Sequence, residues 1–202
     1  MAASPPRTEA GGAASWLGPV AVLIPVKAFA EAKLRLAPAL SPQRRAALAR
    51  EMAEGVMRSA GDLPVAIVCD DRAVADWARA LGALVVWTPG RGLNRAVQEG
   101  VRYLARAGVR SVVVAASDLP LAEDLAHLAD AAGITLVPDR RGEGTNVIVV
   151  PADAAFAFSY GPGSFARHTN EAASSGQPWR IIESPALAWD VDLPDDLNAI
   201  RR

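Results

Sequence analysis

Residues 111–121 read SVVVAASDLPL. Apolar, β-branched and small residues run without interruption to Asp118, and Pro120 ends the pattern. Such a run is typical of a strand covered on both faces in a parallel sheet. Because open α/β folds bind ligands at the carboxyl ends of their strands, Asp118 has two interpretations. It is either an ordinary polar residue where a strand stops or a ligand of a bound cation.

The rest of the chain alternates strand and helix patterns through residue 138, which predicts a mainly parallel sheet with helices on both faces. The later part breaks this rhythm, so we expect an antiparallel strand or two there. The fold class is therefore α/β, as a single-domain, Rossmann-like three-layer sandwich. Besides 111–118, strands are predicted over 20–26, 65–70, 83–88, 134–139, 146–151, 179–184 and 187–192. Helices are predicted after Ser41-Pro42 and over 71–82, 93–108, 121–133, 164–176 and 194–202.

The composition limits the functional classes. The chain has 202 residues, 51% hydrophobic and 21% charged, with a formal net charge of -1, so nothing indicates a nucleic-acid partner. The lone Cys69 excludes an internal disulfide and is expected to be a small buried residue near a strand end. Residues 1–18 predict a flexible tail ahead of one folded domain over 19–202. Since neither a secretory signal nor a membrane span is apparent, a cytoplasmic protein is expected.

A second acidic motif follows in WDVDLPDD (189–196), where Asp190 and Asp192 are two residues apart. In an extended segment, a period of two points both carboxylates to the same face. Considered without Asp118, the two aspartates are best interpreted as an exposed polar face next to a helix cap at Asp195. Together with Asp118, it predicts a metal site, because adjacent carboxylates repel unless a cation lies between them. Three carboxylates without a cysteine set favour a hard cation such as Mg²⁺.

Basic and glycine-rich segments surround the predicted sheet edge. The first strand leads into PVKAFAEAKLRL, which places Lys27, Lys33 and Arg35 in a loop suited to an anionic substrate or simply solvated. GRGLNR (90–95) is a weak dinucleotide fingerprint, because Arg95 replaces the third glycine and the motif follows the third strand. It remains either an ordinary β–α turn or a loop that lets backbone approach a nucleotide.

Two later loops have anion-binding patterns. DRRGEGTN (139–146) predicts an anion nest built from backbone amides and the Thr145 hydroxyl, or a plain hairpin. YGPGSFARH (160–168) leads into a helix N-terminus, where Ser164 is equally well a helix cap. The two histidines form no recognisable catalytic arrangement. His127 is expected on a helix, and His168 follows the second loop.

These motifs occur in one order: PVK with AKLRL, GLNRAV, SDLP, DRRGEGTN, YGPGSF with His168, and WDVDLPDDL. Together they resemble the guanylyltransferases that make the phospholactyl or phosphoenolpyruvyl precursor of coenzyme F-420. The resemblance spans roughly residues 20 to 200. It implies the nucleotide-diphosphosugar-transferase-like α/β fold.

The resemblance also implies residue roles. Asp118, Asp190 and Asp192 would hold Mg²⁺, while Thr145, Gly161 and Ser164 would hold the phosphorylated acid. Lys27, Lys33 and Arg35 would contact the GTP phosphates, and Asn94 would lie at the nucleoside end. Lys27 and the three aspartates would be the catalytic residues. One departure is Tyr160, which stands where the family tends to have Phe.

The implied reaction moves GMP from GTP onto the phosphate of phosphoenolpyruvate or 2-phospho-L-lactate and releases pyrophosphate, in coenzyme F-420 biosynthesis. The sequence does not separate these acceptors from 3-phosphoglycerate, although its Ala/Arg-rich composition looks bacterial and favours phosphoenolpyruvate. Three further functions compete with this one: a nucleotidyltransferase for a sugar phosphate or a molybdopterin phosphate, a non-catalytic GTP-binding regulator and, least favoured, a NAD-dependent oxidoreductase. A homodimer is left open.

Overall fold

A seven-stranded mixed sheet forms the centre of the computed structural model, which describes residues 17–199. Its order is β3-β2-β1-β4-β6-β5-β7. The strands are β1 (Val20–Pro25), β2 (Val65–Cys69), β3 (Leu84–Trp87), β4 (Ser111–Ala115), β5 (Ile134–Pro138), β6 (Thr145–Pro151) and β7 (Trp179–Ile181). Only β6 runs antiparallel to its neighbours, β4 and β5. The predicted break in the parallel rhythm is therefore confirmed. Residues 1–16 of the predicted tail lie outside the described residues.

Four α-helices complete the three predicted layers. They are α1 (Pro42–Arg58), α2 (Arg72–Ala80), α3 (Gly92–Arg106) and α4 (Ser164–Ser174). The first two pack on one face of the sheet and the other two on the opposite face. Ser41 caps α1 by accepting from the Arg44 amide at 3.3 Å, with Pro42 at the first helical position, as predicted. None of the described helices is long and apolar enough to cross a membrane.

The continuous apolar runs become strands buried on both faces. Alternate residues of β1 pack against opposite helix layers, with Val22 facing α1 and α2 and Leu23 facing α3. Gly100 lets α3 approach closely, since a Cβ there would lie 2.6 Å from Leu23. Cys69 ends β2 and is buried, as predicted, and burial raises the pKa of its thiol to about 11.

Two predicted elements are wrong. The segment 121–133 forms only a short 3-10 helix, Ala126–Ala129. Asp124 has a left-handed backbone (φ 38°), which a regular helix does not allow. The Leu125 amide donates to the carbonyl of Ser59, at the end of α1, instead of to a carbonyl of its own segment. The segment 187–192 is irregular rather than a strand. The Asn146 side chain donates to the Leu187 carbonyl, and the Asp196 carboxylate accepts from the Asp192 amide, so these groups are not free for strand pairing. The predicted C-terminal helix is a 3-10 helix, Pro194–Ala199.

The antiparallel direction of β6 places its first residues beside the end of β4. Ala115 pairs with Val147, and the Ala116 amide donates to the Asn146 carbonyl at 2.8 Å. The β5 pairing skips Asn146, because Val137 pairs with Val147 and Pro138 with Thr145. This bulge turns Thr145 towards the α4 layer, where its hydroxyl contacts His168.

Candidate active site

A cleft of about 450 Å³ opens at the carboxyl edge of β1 and β4. The loop after β1 lines one side with Lys27, Lys33 and Arg35, and the end of β4 supplies Asp118. Asp192 lines the same cleft from the C-terminal segment. The predicted basic loop and two of the three predicted acids therefore meet where open α/β sheets bind ligands.

Lys33 joins the two acids. Its ammonium donates to the Asp118 carboxylate and, at 3.1 Å, to Oδ1 of Asp192. Burial alone would lower the pKa of Lys33, but these two carboxylates raise it above its ordinary value. A left-handed backbone at Lys33 (φ 55°) directs the side chain inward, leaving it only 10% exposed. Lys33 therefore offsets one of the two negative charges that Asp118 and Asp192 bring together.

Asp190 is the third predicted acid, and it is almost fully buried. Its Oδ1 atom is buried without a hydrogen-bond partner. Burial raises the pKa of Asp190 to about 6, and the negative charges of Asp118 and Asp192 add to this effect. The prediction that Asp190 and Asp192 share one face of a strand is wrong, because the segment is irregular and only Asp192 is substantially exposed. Asp190 nevertheless belongs electrostatically to the same acid cluster, here defined as Asp118, Asp190 and Asp192.

Asp196 positions the segment that carries these acids, and sequence reasoning missed it. Its Oδ2 atom accepts from the backbone amides of Asp192 at 2.8 Å and Leu193 at 2.7 Å. Its Oδ1 atom accepts from Arg140 and, at 3.0 Å, from Arg141. Burial alone would raise the pKa of Asp196, but the two amides and then the two guanidinium groups hold it below its ordinary value. The adjacent Asp195, which the sequence predicts as the cap, is exposed.

The loop after β5 does not offer the predicted anion nest. The amides of Arg141, Glu143 and Gly144 all donate to the Asp139 carboxylate at 2.8–3.0 Å. The anion bound by this loop is therefore the chain's own side chain, and its two arginines bind Asp196. Of the residues predicted for the nest, only Thr145 faces α4, where its hydroxyl contacts His168.

The second predicted loop, here called the acceptor loop (residues 159–164), is connected to Thr145 by the side chain of His168. His168 bonds to Thr145 and to the Ser159 amide. Gly161 (φ 119°) takes a conformation that side chains rarely adopt, and Ser164 is the buried first residue of α4. Gly163 is at the N-cap, so the interpretation of Ser164 as a helix cap is wrong.

Arg167 and Asn94 hold the acceptor loop in shape. The Arg167 guanidinium donates to the carbonyls of Ser159 at 2.8 Å and Pro162 at 2.7 Å. Oδ1 of Asn94, at the start of α3, accepts from the Tyr160 amide at 2.7 Å. Asn94, predicted at the nucleoside end, thus ties the start of α3 to the acceptor loop. The Asn94 contact has no signature in the local sequence, because it joins residues 66 positions apart.

The acid cluster has the donor type expected for the predicted magnesium ion but not the geometry of a metal site. Within residues 17–199 no group of three His, Cys, Asp or Glu side chains is placed so that it could hold a metal ion. The donors are three carboxylates, one of them with a buried oxygen that lacks a partner, and burial together with the charges of Asp118 and Asp192 raises the pKa of Asp190. Hard oxygen donors of this kind are those that Mg²⁺ prefers. Lys33 supplies the cationic charge in this arrangement.

Comparison with known proteins identifies the family. The profile of the guanylyl transferase CofC-like family matches residues 20–201. The chain belongs to this family. The phosphoenolpyruvate guanylyltransferase of Rubrobacter xylanophilus is 38% identical over 187 residues, which cover 88% of this chain and 91% of that protein. That of Conexibacter woesei is 36% identical over 192 residues, covering 89% and 86% respectively.

Solved structures agree with the fold of this guanylyl transferase. A protein of Desulfovibrio desulfuricans G20, described as a nucleotide-diphospho-sugar transferase, superposes with a TM-score of 0.69 at 18% identity, covering 91% of this chain and 86% of that chain. A nucleotidyl transferase of Methanothermobacter thermautotroptrophicus superposes with a TM-score of 0.59 at 17% identity, covering 90% and 95%. The predicted nucleotide-diphosphosugar-transferase-like fold is confirmed, and the enzyme is a nucleotidyltransferase rather than an oxidoreductase.

Proposed function

We propose that this guanylyl transferase moves GMP from GTP onto the phosphate of phosphoenolpyruvate. The observation that carries the proposal is the cleft in which Lys33 joins Asp118 and Asp192. It combines acids suited to a cation with a basic loop suited to a polyphosphate. The names of the relatives, phosphoenolpyruvate guanylyltransferase, support the choice of both substrates.

The reaction is a displacement at the α-phosphorus of GTP. A phosphate oxygen of the acceptor forms a new bond to this phosphorus, the bond to the β-phosphate oxygen breaks, and pyrophosphate leaves. A phosphate monoester is mostly dianionic at neutral pH, because its second pKa is about 6. The nucleophile therefore requires no general base, and the protein's task is to align two polyanions and offset their repulsion.

The residues divide this task between the cleft and the acceptor loop, whose residues are not part of the cleft lining. Lys27, Lys33 and Arg35 would neutralise the GTP phosphates, and Lys27 is exposed at the mouth where an incoming anion would meet it. Asn94 would lie near the nucleoside.

At the start of β6 and in the acceptor loop, Thr145, Gly161 and Ser164 would bind the phosphorylated acid, since a hydroxyl and the N-terminus of α4 are suited to an anion. The acid cluster of Asp118, Asp190 and Asp192 would hold Mg²⁺, which would supply further charge neutralisation at the phosphates.

We also propose, from the sequence resemblance, that the product is the guanylylated precursor of coenzyme F-420 and that the enzyme works in the cytoplasm, where GTP is available. 2-Phospho-L-lactate is the second candidate acceptor. A sugar phosphate and a molybdopterin phosphate are weaker candidates, and GTP binding without turnover is the competing function.

A substrate panel tests the proposed function. Pyrophosphate release is measured with GTP or ATP, with and without Mg²⁺, and with each of four acceptors: phosphoenolpyruvate, 2-phospho-L-lactate, 3-phosphoglycerate and a sugar phosphate. We expect release with GTP, Mg²⁺ and phosphoenolpyruvate together. Release with the sugar phosphate instead would make the enzyme a sugar-phosphate nucleotidyltransferase. Binding of GTP without release for any acceptor would identify a regulator.

A further inference from the structure

His168 is a fully buried titratable residue that the proposed reaction leaves without a role. It lies on α4, one turn after Ser164. Its Nε2 atom is 2.8 Å from the Ser159 amide nitrogen, and its Nδ1 atom is 2.9 Å from Oγ1 of Thr145. The ring thus joins the acceptor loop to the first residue of β6.

The partners of the ring determine which nitrogen carries the proton. A backbone N–H can only donate, so Nε2 must accept from Ser159 and is unprotonated. Burial lowers the pKa of His168 to about 4, and the nearby Arg167 charge adds to this effect, so the ring is neutral at pH 7. The remaining proton is therefore on Nδ1, which donates to Thr145.

This assignment fixes the direction of the Thr145 hydroxyl. Because its oxygen accepts from His168, its own proton cannot point at His168 and must be donated elsewhere. Aromatic rings hold the imidazole in place, with the Tyr160 ring centroid at 5.0 Å edge-on and that of Phe156 at 5.9 Å. A rotation of the ring would remove both hydrogen bonds inside a buried site, which is costly.

We propose that His168 is a positioning residue for the acceptor, holding Thr145 as a hydrogen-bond donor and fixing the acceptor loop relative to it. The proposal rests on the proposed function, in which Thr145, Gly161 and Ser164 bind an anionic acid. An anion accepts hydrogen bonds, and a hydroxyl free to rotate would present a lone pair to it in some orientations. With the proton directed by His168, Thr145 presents the donor that an anion requires.

Two substitutions separate the two hydrogen bonds of the ring. In His168→Gln the amide oxygen can occupy the place of Nε2 and still accept from Ser159, but the donor to Thr145 is lost. In His168→Asn the amide nitrogen can occupy the place of Nδ1 and still donate to Thr145. His127→Gln is the matched control, because the His127 side chain is exposed and bonds to the nearby Asp124.

The kinetic test measures KM for phosphoenolpyruvate and for GTP separately. His168→Gln should raise KM for phosphoenolpyruvate by about tenfold, the value of one hydrogen bond to a charged group, with KM for GTP within about twofold of wild type. His168→Asn should recover most of this loss, and His127→Gln should match wild type. Equal rises in both KM values, or a wild-type value for His168→Gln, would overturn the proposal.

A double-mutant cycle with Thr145→Val tests whether His168 acts through Thr145. Once the hydroxyl is absent, adding His168→Gln should change KM for phosphoenolpyruvate by less than about twofold. If the rises in KM for phosphoenolpyruvate of the two single variants multiply in the double variant, the proposal is contradicted and His168 has a separate, structural role.

Nitrogen-15 NMR of histidine-labelled protein keeps the inference testable if the proposed function fails. Wild-type protein without pyrophosphate release for any acceptor would reject that function alone. The spectrum should show His168 neutral with its proton on Nδ1 at pH 7, and His168→Gln identifies its signal among the two histidines of the sequence. A proton on Nε2, or a charged ring, would overturn the proposal by itself.

Discussion

The ammonium of Lys33 and the carboxylate of Asp118 form a direct ion pair, although 85 positions separate them in the sequence. The pair joins the loop after β1 to the end of β4, the two adjacent central strands of the parallel part of the sheet. Asp192 shares the same ammonium, so one cation connects three separate segments at the cleft. The predictions below follow from this connection and from the residues that support it.

Asp118→Asn should reduce turnover by about a hundredfold or more, because the cleft loses one of the carboxylates proposed to hold the Mg²⁺ that neutralises the phosphates. The fold should persist, since asparagine has nearly the same shape. Pyrophosphate release and circular dichroism measure the two effects. Asp153→Asn, an exposed aspartate outside the cleft, is the control. Turnover like that of wild type in Asp118→Asn would reject the assignment of the acid cluster.

Lys33→Met and Lys27→Met should differ in their effect on stability. Lys33→Met leaves Asp118 and Asp192 facing each other without their shared cation, so its unfolding free energy should fall by about 1 kcal/mol or more. The exposed Lys27 should be replaceable without a measurable loss. Both variants should raise KM for GTP. Urea unfolding tests the stability difference, and equal stability of the two variants would contradict the role given to Lys33.

Asp196→Ala should destabilise the protein by about 2 kcal/mol or more, because it leaves two guanidinium groups and two backbone amides without their shared acceptor. It should also lower turnover, since the Asp192 amide is no longer fixed. Asp195→Asn is the matched control at the adjacent, exposed position. Urea unfolding and pyrophosphate release measure both effects. A variant with normal turnover but reduced stability would show that Asp196 supports only the fold.

His168 should make the protein less stable in acid. Its pKa is about 4 in the folded state, against an ordinary value of 6.5, so the unfolded state binds more protons between these two values. Stability should therefore fall as the pH falls from about 6.5 to about 4, by up to about 3 kcal/mol from this residue. His168→Gln should show a shallower fall in urea unfolding at pH 7 and pH 5. Equal pH dependence in the two proteins would contradict a buried neutral ring.

Much of the fold was predictable because its signals are local. The uninterrupted apolar runs of β1 and β4 specify strands buried on both faces, and their ends specify the edge where Asp118 and the basic loop meet. The family resemblance supplied roles for Thr145 and the acceptor loop, which the structure places next to each other through His168.

The errors arose where side-chain contacts or a left-handed backbone replace regular backbone bonding. Residues 187–192 alternate like a strand, but Asp196 binds their last amide and Asn146 binds the Leu187 carbonyl at 2.9 Å. The helical pattern of 121–133 fails at the left-handed Asp124. The role of His168 depends on the bulge at Asn146 that turns Thr145 towards it, and no pattern near His168 predicts a bulge in another strand.

The most direct test of the central claim is identification of the product by phosphorus-31 NMR after incubation with GTP, phosphoenolpyruvate and Mg²⁺. The account predicts pyrophosphate together with a new diphosphate diester that joins GMP to phosphoenolpyruvate, and neither signal with Asp118→Asn. Unchanged GTP in the wild-type sample, or its hydrolysis without the diester, would contradict it.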